Sequence, residues 1–311
     1  MNPIICIAGP TASGKTALAV ELAKELQGEV VSCDSMQVYK YMDIGTAKPT
    51  IEEREGVVHY MLDVAEPQED FSVSRYCRMA SPIIDDILSR GKTAIIAGGT
   101  GLYMDSLIKG NEFAPYPSTG RREQLEAQAE QEGIEVLMDQ LKTVDPETAA
   151  RLHLSDRKRI IRALEIYLET GETMTAHNLR TQAIPPKYSP IWLGLDFSQR
   201  QQLYDRIDRR VDIMLEMGLV GEIRSLLARG IPSTCTAMQA IGYKEFIGAM
   251  DGHCTVEEAA DLVRQSSRRY AKRQLTWFRR NPNMNWLIRD DQTGTKEILC
   301  TARRIIQETD N

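Results

Sequence analysis

The stretch IICIAGPTASGKT, residues 4–16, is an apolar run that leads directly into the pattern Gly-x-x-x-x-Gly-Lys-Thr. The apolar part, Ile4 to Ala8, predicts a buried strand, and Lys15 to Leu26 has the spacing of a helix. A glycine-rich loop between a strand and a helix is the context that a phosphate-binding loop requires. These residues therefore predict an α/β fold whose first loop binds a phosphate or a pyrophosphate.

The chemistry of this loop follows from its residue types. Glycines let the backbone curl so that N–H groups face an anion, and the start of the helix adds positive potential. Lys15 supplies a full charge, and the Thr16 hydroxyl is a ligand for Mg²⁺. The alternative is a tight strand–helix turn that binds nothing.

Strands and helices alternate along the first hundred residues. Glu29 to Cys33 and Thr93 to Ala97 are further apolar strands, and Ser74 to Ser89 is helical, with a kink or boundary at Pro82. Uniformly apolar strands that alternate with helices are typical of a parallel sheet with helices on both faces. The predicted fold class is α/β, a P-loop NTPase-like parallel sheet flanked by helices.

Two proline-rich breaks, at residues 114–117 and 184–186, bracket a polar block with helical spacing. We predict an inserted all-helical domain over residues 113–186 within a core formed by residues 1–112 and 187–311. After it, Ile191 to Leu195 predicts a strand. Helices are predicted over Gln199 to Arg229, Ile241 to Met250 and Val256 to Arg280, with Thr255 and Glu258 at capping-box spacing.

Composition excludes several classes of protein. The 311 residues carry 38 Lys+Arg against 44 Asp+Glu, a net charge of −6. No apolar run approaches the roughly 20 residues of a membrane helix, and no secretory signal is visible. The six cysteines and four histidines are scattered without zinc-site spacing, so we expect reduced thiols in the cytoplasm. The acidic charge alone argues against a nucleic-acid partner.

Two further segments follow predicted strands. Asp34 ends the second strand, and since carboxyl ends of parallel strands line one crevice, it is expected to face the phosphate loop. There it is able to bind Mg²⁺ or accept a proton, although an Asp that only shapes a turn is the alternative. Gly98-Gly99-Thr100-Gly101 allows close approach of backbone to ligand. A kinase is disfavoured because these glycines stand where its strand would end in a Mg²⁺-binding Asp. Asp63 is a possible substitute for that Asp.

Two basic clusters point toward RNA. One spans Arg151 to Glu165, and the other spans Arg264 to Arg280, with seven cations, no acid and three interleaved aromatic residues. Cations suit phosphates and aromatic rings suit unstacked bases, whereas an ordinary solvated helix mixes its charges. The net charge does not contradict this, because residues 112–147 hold nine acids and three bases, equal to the whole −6. The asymmetry predicts a preferred orientation for the approaching RNA.

Taken in order, these segments resemble the bacterial tRNA dimethylallyltransferases. The resemblance rests on GPTASGKT (9–16), DSMQVYK (34–40), MDIGTAKP (42–49), GGTGLY (98–103), RxxRALE (159–165), AIGYKE (240–245) and YAKRQLTWFRR (270–280). We expect the bacterial form, which carries no zinc-finger extension after the last segment. The resemblance implies transfer of a dimethylallyl group from its diphosphate to N6 of adenosine 37, in tRNAs that read codons starting with U.

The resemblance also implies roles for individual residues. Asp34 is the expected base, with Thr100 and Lys15 also catalytic and with Mg²⁺ on Thr16. The expected diphosphate-binding residues are Gly9, Thr11, Ala12, Ser13, Gly14, Lys15, Thr16 and Arg210. The expected tRNA-binding residues are Asp34, Ser35, Met36, Gln37, Gly101, Arg122, Lys158, Arg159, Arg162, Gly242, Tyr243, Lys244, Arg269, Lys272 and Arg273.

The partners implied are the tRNA anticodon stem-loop, clamped by the insertion, and dimethylallyl diphosphate, with no membrane. We expect a cytoplasmic monomer. The target base is stacked in its loop, so it is expected to be flipped into the protein. Two alternatives remain from the residues alone: a P-loop small-molecule or nucleoside kinase that binds ATP, and a non-catalytic RNA-binding protein whose P-loop senses a nucleotide.

Overall fold

The computed structural model describes residues 4–111, 119–183, 185–290 and 294–310. Two compact units are present, one made of Met1–Gly110 with Lys187–Asn311 and the other of Asn111–Pro186. The predicted proline break at residues 114–117 lies outside the described residues, as does Ile184 of the second break.

The first unit is built on a parallel sheet, as predicted. The described strands are β1 (Ile4–Ala8), β2 (Glu29–Cys33), β3 (His59–Tyr60), β4 (Ala94–Gly98), β5 (Ile191–Phe197) and β6 (Met284–Arg289). They lie in the order β3-β2-β4-β1-β5-β6, and every neighbouring pair is parallel. Because parallel strands end at the same edge, the loops after β1, β2 and β4 lie side by side.

Helices cover the sheet of this unit. Their bounds are α1 (Lys15–Glu25), α2 (Ile51–Arg54), α3 (Val73–Ser89), α4 (Gly101–Lys109), α10 (Arg200–Glu216), α11 (Leu219–Ala228), a 3₁₀ helix (Ala237–Gln239), α12 (Lys244–Met250), α13 (Val256–Phe278) and α14 (Thr295–Asp310). One large apolar cluster joins the sheet to side chains of α1 and α14, including Leu18, Leu22 and Ile298. Within the described part of the chain, no helix has both the length and the apolarity to cross a bilayer.

Two helix predictions are corrected and one is confirmed. The helix predicted over Gln199 to Arg229 is interrupted at Gly218, which adopts φ 96° and starts α11 as a separate helix. Pro82 lies inside α3, so the boundary predicted there is absent, and the alternative of a kink stays a prediction. The capping box of Thr255 and Glu258 is present at the start of α13.

All the regular structure described in the second unit is helical. It contains α5 (Arg121–Gln131), α6 (Ile134–Val144), α7 (Pro146–Arg151), α8 (Arg157–Thr170) and α9 (Met174–Ala183). These helices bury their own apolar cluster. The buried Asp145 caps α7 by accepting from the Thr148 amide at 3.1 Å and accepts the Thr175 hydroxyl at 2.6 Å, so α9 is fixed to α7.

A charged cluster stabilises the opposite end of the sheet, where the strands begin. Glu29, the buried first residue of β2, accepts hydrogen bonds from Arg90 at 2.6 and 2.7 Å, from Lys92 at 2.6 Å and from the Tyr60 hydroxyl at 2.9 Å. Hydrogen bonds from Arg90, above all, lower the pKa of Glu29 from 4.5 to about 2. A carboxylate so held contributes stability that an acid-denatured chain loses.

We predict that Glu29→Gln lowers the free energy of unfolding by about 2 kcal/mol at pH 7. Because the folded pKa lies below the unfolded one, this contribution is complete above about pH 5 and is lost as the pH falls toward 2. Urea unfolding at several pH values measures it. Glu55→Gln is the control, because Glu55 is an exposed glutamate that pairs with Lys24. Equal effects of the two substitutions on the free energy of unfolding would contradict the prediction.

Candidate functional site

A cavity of about 340 Å³ lies at the carboxyl edge of the sheet. Its wall combines the loop after β1, the turn after β2, the loop at residues 45–47 and the Gly98-Gly99 turn after β4. Helices α10 and α13 and residues 239–242 complete the wall. A neighbouring cavity of about 440 Å³ shares Lys15, Thr16 and Arg210 with the first. The segments that the sequence placed at one crevice therefore do line one cavity.

The Gly9–Thr16 loop has the backbone of an anion-binding turn. Gly9, Ala12 and Gly14 adopt φ values of 150°, 62° and 91°. A side chain at Gly9 would place its Cβ 2.8 Å from the Leu195 carbonyl oxygen, so glycine is required there. Gly14 begins α1 without a side-chain cap, which leaves first-turn N–H groups available to a ligand.

Cations concentrate on this loop. The ammonium of Lys15 donates to the Pro10 carbonyl at 2.6 Å, and burial, followed by the nearby Arg210, lowers the pKa of Lys15 to about 7. Arg210 on α10 donates to the Thr11 hydroxyl at 3.2 Å, and Arg206 donates to the Ala12 carbonyl at 2.9 Å. Burial also lowers the pKa of Arg210. Cations held in a desolvated cavity favour a multiply charged anion.

Asp34 shapes a turn and also faces the cavity, so the two readings of its sequence position coexist. Its Oδ1 accepts from the amides of Met36 at 2.9 Å and Gln37 at 3.3 Å. These bonds fix the carboxylate, and no hydrogen bond to Oδ2 is found among the described residues. Oδ2 is thus the oxygen free to accept a proton.

Thr100 acts on the Asp34 turn. Its hydroxyl oxygen accepts from the Ser35 amide at 3.0 Å, and Thr100 itself is not among the residues that line the cavity. Thr100 therefore positions the segment that carries Asp34. Its placement does not favour a direct contact with the reacting atoms. The hydroxyl of Tyr270, which does line the cavity, lies beside Thr100.

The predicted tRNA contacts of the first unit are placed differently from one another. Ser35, Met36, Gln37 and Gly242 line the cavity, and Lys244, Arg269, Lys272 and Arg273 are exposed. Gly101 and Tyr243 are buried, and their contact with tRNA stays a prediction. Space for a Gly101 side chain is filled by Trp277, and the Tyr243 hydroxyl donates to Glu222 at 2.7 Å.

The basic helix carries less free charge than its composition predicted. Acids of α10 neutralise two of its seven cations, since Arg264 pairs with Asp212 and Arg268 pairs with Asp208, each at 2.6 Å. Arg279 pairs with Asp196 at 2.8 Å. The cations without a described ion pair are Arg269, Lys272, Arg273 and Arg280. The basic surface is therefore confined to one side of α13.

In the helical unit, the predicted tRNA contacts lie on the surface of α5 and α8. Lys158 and Arg159 are exposed, and Arg159 pairs with Asp156 at 3.2 Å. Arg122 pairs with Glu126 at 3.4 Å, and Arg162 pairs with Glu165 at 2.7 Å. The Arg122–Glu126 pair is exposed, and pairs of this kind contribute little to stability.

Asp63 is not the metal ligand that a kinase would need. It accepts from the buried Lys48 at 2.6 Å and lines neither cavity. Across the described ranges, no group of three or more His, Cys, Asp or Glu side chains is arranged to hold a metal.

Two residues of the site were missed by sequence reasoning. Gln274 and Tyr270 lie in the helix whose cations and aromatic rings are predicted to contact RNA, yet both line the cavity. The available signal was their spacing, because Val263, Ser267, Tyr270 and Gln274 form one uncharged stripe along the basic part of this helix.

Comparison with known proteins places these features in one family. The family model described as IPP transferase matches residues 37–281. The chain is 45% identical over 300 residues to a tRNA dimethylallyltransferase of Acetivibrio thermocellus, covering 96% of each, and 47% identical over 297 residues to one from a Thermoanaerobacter species, covering 95% of this chain and 94% of the relative.

Solved structures agree. A tRNA isopentenylpyrophosphate transferase of Bacillus halodurans matches with a TM-score of 0.73 at 42% identity, covering 100% of this chain and 99% of that one. A eukaryotic dimethylallyltransferase acting on tRNA matches with a TM-score of 0.83 at 30% identity, covering 99% and 80%. These similarities favour prenyl transfer over the kinase and the non-catalytic alternatives.

Proposed function

The chain belongs to the IPP transferase family and is an enzyme that transfers a dimethylallyl group to tRNA, and we propose that its donor is dimethylallyl diphosphate and its acceptor is N6 of adenosine 37. The tRNAs modified are those that read codons starting with U. One observation carries the proposal: the cationic Gly9–Thr16 loop and the Asp34 carboxylate line the same cavity.

The donor's diphosphate binds the Gly9–Thr16 loop. Amides at the start of α1, the Lys15 ammonium and the Arg210 guanidinium face this space. As the allylic C–O bond breaks, negative charge grows on the departing pyrophosphate, and fixed donors in a desolvated cavity stabilise it more than water does. An anion at Lys15 also reverses the effect of burial and of Arg210 on its pKa.

The acceptor nitrogen lies on the Asp34 side. N6 of adenine shares its lone pair with the purine ring, so it is a weak nucleophile until its proton is removed. As the new C–N bond forms, Asp34 Oδ2 accepts the proton from N6. The turn bonds to Oδ1 and the Thr100–Ser35 contact keep this carboxylate in place.

The residues present also fit a magnesium ion. Mg²⁺ prefers hard oxygen ligands and keeps several waters, and the Thr16 hydroxyl lines both cavities next to the diphosphate space. Thr16, together with diphosphate oxygens, would hold the ion, which supplies additional neutralisation of the leaving group. No cluster of carboxylates is needed for that arrangement.

The base reaches this cavity by leaving its stack. Adenosine 37 flips into the cavity, and phosphates of the anticodon stem-loop contact exposed cations such as Arg269 and Lys272. The helical unit offers Lys158 and Arg159 as further contacts. We propose a monomer that acts in the cytoplasm, where tRNA is found.

The decisive assay is transfer of label from radiolabelled dimethylallyl diphosphate to unmodified tRNA with adenosine at position 37, in the presence of Mg²⁺. We expect stoichiometric labelling, N6-dimethylallyladenosine in the nucleoside digest and release of one pyrophosphate per modified base. A tRNA with guanosine at position 37 is the matched control. Failure to label the first tRNA would refute the proposed donor and acceptor.

A further inference from the structure

Gln274 joins two loops of the site through one side chain. Its Oε1 accepts from the Thr11 amide at 2.9 Å, and its Nε2 donates to the Gly99 carbonyl at 3.0 Å. Gln274 is 5% exposed, and of its two bonds the one to Gly99 is buried and the one from Thr11 is partly buried. The bridge connects the loop that faces the diphosphate to the turn that precedes Thr100.

The amide of Gln274 lies directly against the Cα of Gly99, so a side chain at position 99 would displace it. A Cβ on Gly99 would lie 2.1 Å from Nε2 of Gln274. This close approach explains why residue 99 is a glycine. It also means that the separation of the two loops is set by the length of the glutamine side chain.

The contacts continue from Gly99 to Asp34, the proposed catalytic base. Thr100 follows Gly99, its hydroxyl oxygen accepts from the Ser35 amide at 3.0 Å, and Ser35 adjoins Asp34. On the other side, Thr11 is hydrogen-bonded to Arg210. The chain of bonds through Gln274 therefore runs from the donor's phosphate side to the acceptor's carboxylate.

The face of α13 that carries Gln274 borders the cavity assigned to the two substrates. Tyr270, one turn before Gln274, lines the cavity beside Thr100, and burial raises the pKa of its hydroxyl to about 12, so it remains a neutral phenol. Arg269 and Lys272 lie on the exposed side of this helix. Gln274 thus anchors the RNA-facing helix to the two loops that hold the reacting groups.

We propose that Gln274 is a positioning residue for prenyl transfer: its amide fixes the distance between the diphosphate loop and the Thr100 turn, and through Ser35 the placement of Asp34. The inference rests on the proposed function, because it assigns the two loops to donor and acceptor. Transfer requires the reacting atoms to be roughly 3–3.5 Å apart and aligned, and an error of about 1 Å costs about 10²-fold in rate.

The test is Gln274→Met, which keeps the length and volume of the side chain and removes both hydrogen bonds. We expect the single-turnover rate constant, with tRNA and donor saturating, to fall about 10²-fold while the Kd for tRNA changes less than about threefold. Gln265→Met is the matched control, since Gln265 is an exposed glutamine on the same helix. It should leave the rate constant unchanged.

Rate constant and amplitude separate positioning from folding. A variant that merely folds less well loses amplitude but keeps the wild-type rate constant, and that result would overturn the proposal. Gln274→Glu is the second variant, because it keeps the acceptor for Thr11 and loses the donor to Gly99. A wild-type rate constant for it would also overturn the bridge. Absence of transfer by the wild type itself would instead refute the proposed function, and the positioning role with it.

Discussion

Asp34→Asn is expected to lower the rate constant of prenyl transfer by about 10³-fold while leaving tRNA affinity nearly unchanged. Asparagine keeps the Oδ1 acceptor that shapes the turn for the Met36 and Gln37 amides, so the fold of this segment should persist. It replaces Oδ2 by an amide nitrogen, which cannot accept the proton from N6. Single-turnover transfer and equilibrium binding of tRNA measure the two effects separately.

Asp86→Asn serves as the matched control, because Asp86 is an exposed aspartate on α3 that pairs with Arg90 and lines neither cavity. It should transfer label at the wild-type rate. Equal losses of rate and of tRNA affinity in Asp34→Asn would reject the assignment of Asp34 as base and leave it a residue that only shapes the turn.

Those parts of the fold that local patterns encode were predictable from sequence. The strands β1, β2 and β4 are apolar runs with glycines or polar turns at their ends, and buried parallel strands produce that pattern. The strand β6 was missed because Met284–Arg289 is neither a uniformly buried apolar run nor a strict alternation of buried and exposed positions. Only its pairing with β5 identifies it as part of the sheet.

The site likewise combines residues that local sequence patterns predict with a residue that they do not predict. The Gly9–Thr16 loop and Asp34 follow predicted strands directly, so topology alone brings them together. Gln274 reaches Thr11 from 263 residues away, and no local pattern contains that contact. It depends on how α13 packs against the sheet edge, which is a property of the whole core.

Charge is the property that sequence counts describe least well. The run from Arg264 to Arg280 contains no acid, but Asp208 and Asp212 of α10 pair with two of its arginines. A count along one helix cannot register acids that a neighbouring helix contributes. The cations without a described ion pair are exposed, and one of them, Arg273, also lines the cavity, so the free positive charge of this helix is smaller than its composition predicts.

Lys15→Met is expected to raise the KM for dimethylallyl diphosphate and to lower the rate constant of transfer by about 10²–10³-fold. Lys15 is the cation that the Gly9–Thr16 loop itself carries, and its ammonium is held at the Pro10 carbonyl within the cavity wall. Its charge is most valuable as the C–O bond breaks, since negative charge then builds on the pyrophosphate. Methionine keeps most of the apolar stem of the side chain and removes the charge together with the hydrogen bond to the Pro10 carbonyl.

The donor dependence of transfer and product inhibition by pyrophosphate report on the same contact from two directions. Lys15→Met should weaken inhibition by pyrophosphate at least as much as it raises the donor KM, and tRNA affinity should stay within about threefold of wild type. Lys24→Met, on the exposed face of the same helix α1, controls for loss of a lysine and should change neither. A Lys15→Met enzyme with wild-type donor saturation and pyrophosphate inhibition would place the diphosphate elsewhere. The only other loop-facing cations with a described bond to this segment are Arg206 and Arg210, so the same two measurements on Arg210→Met would then identify which side of the loop the diphosphate occupies.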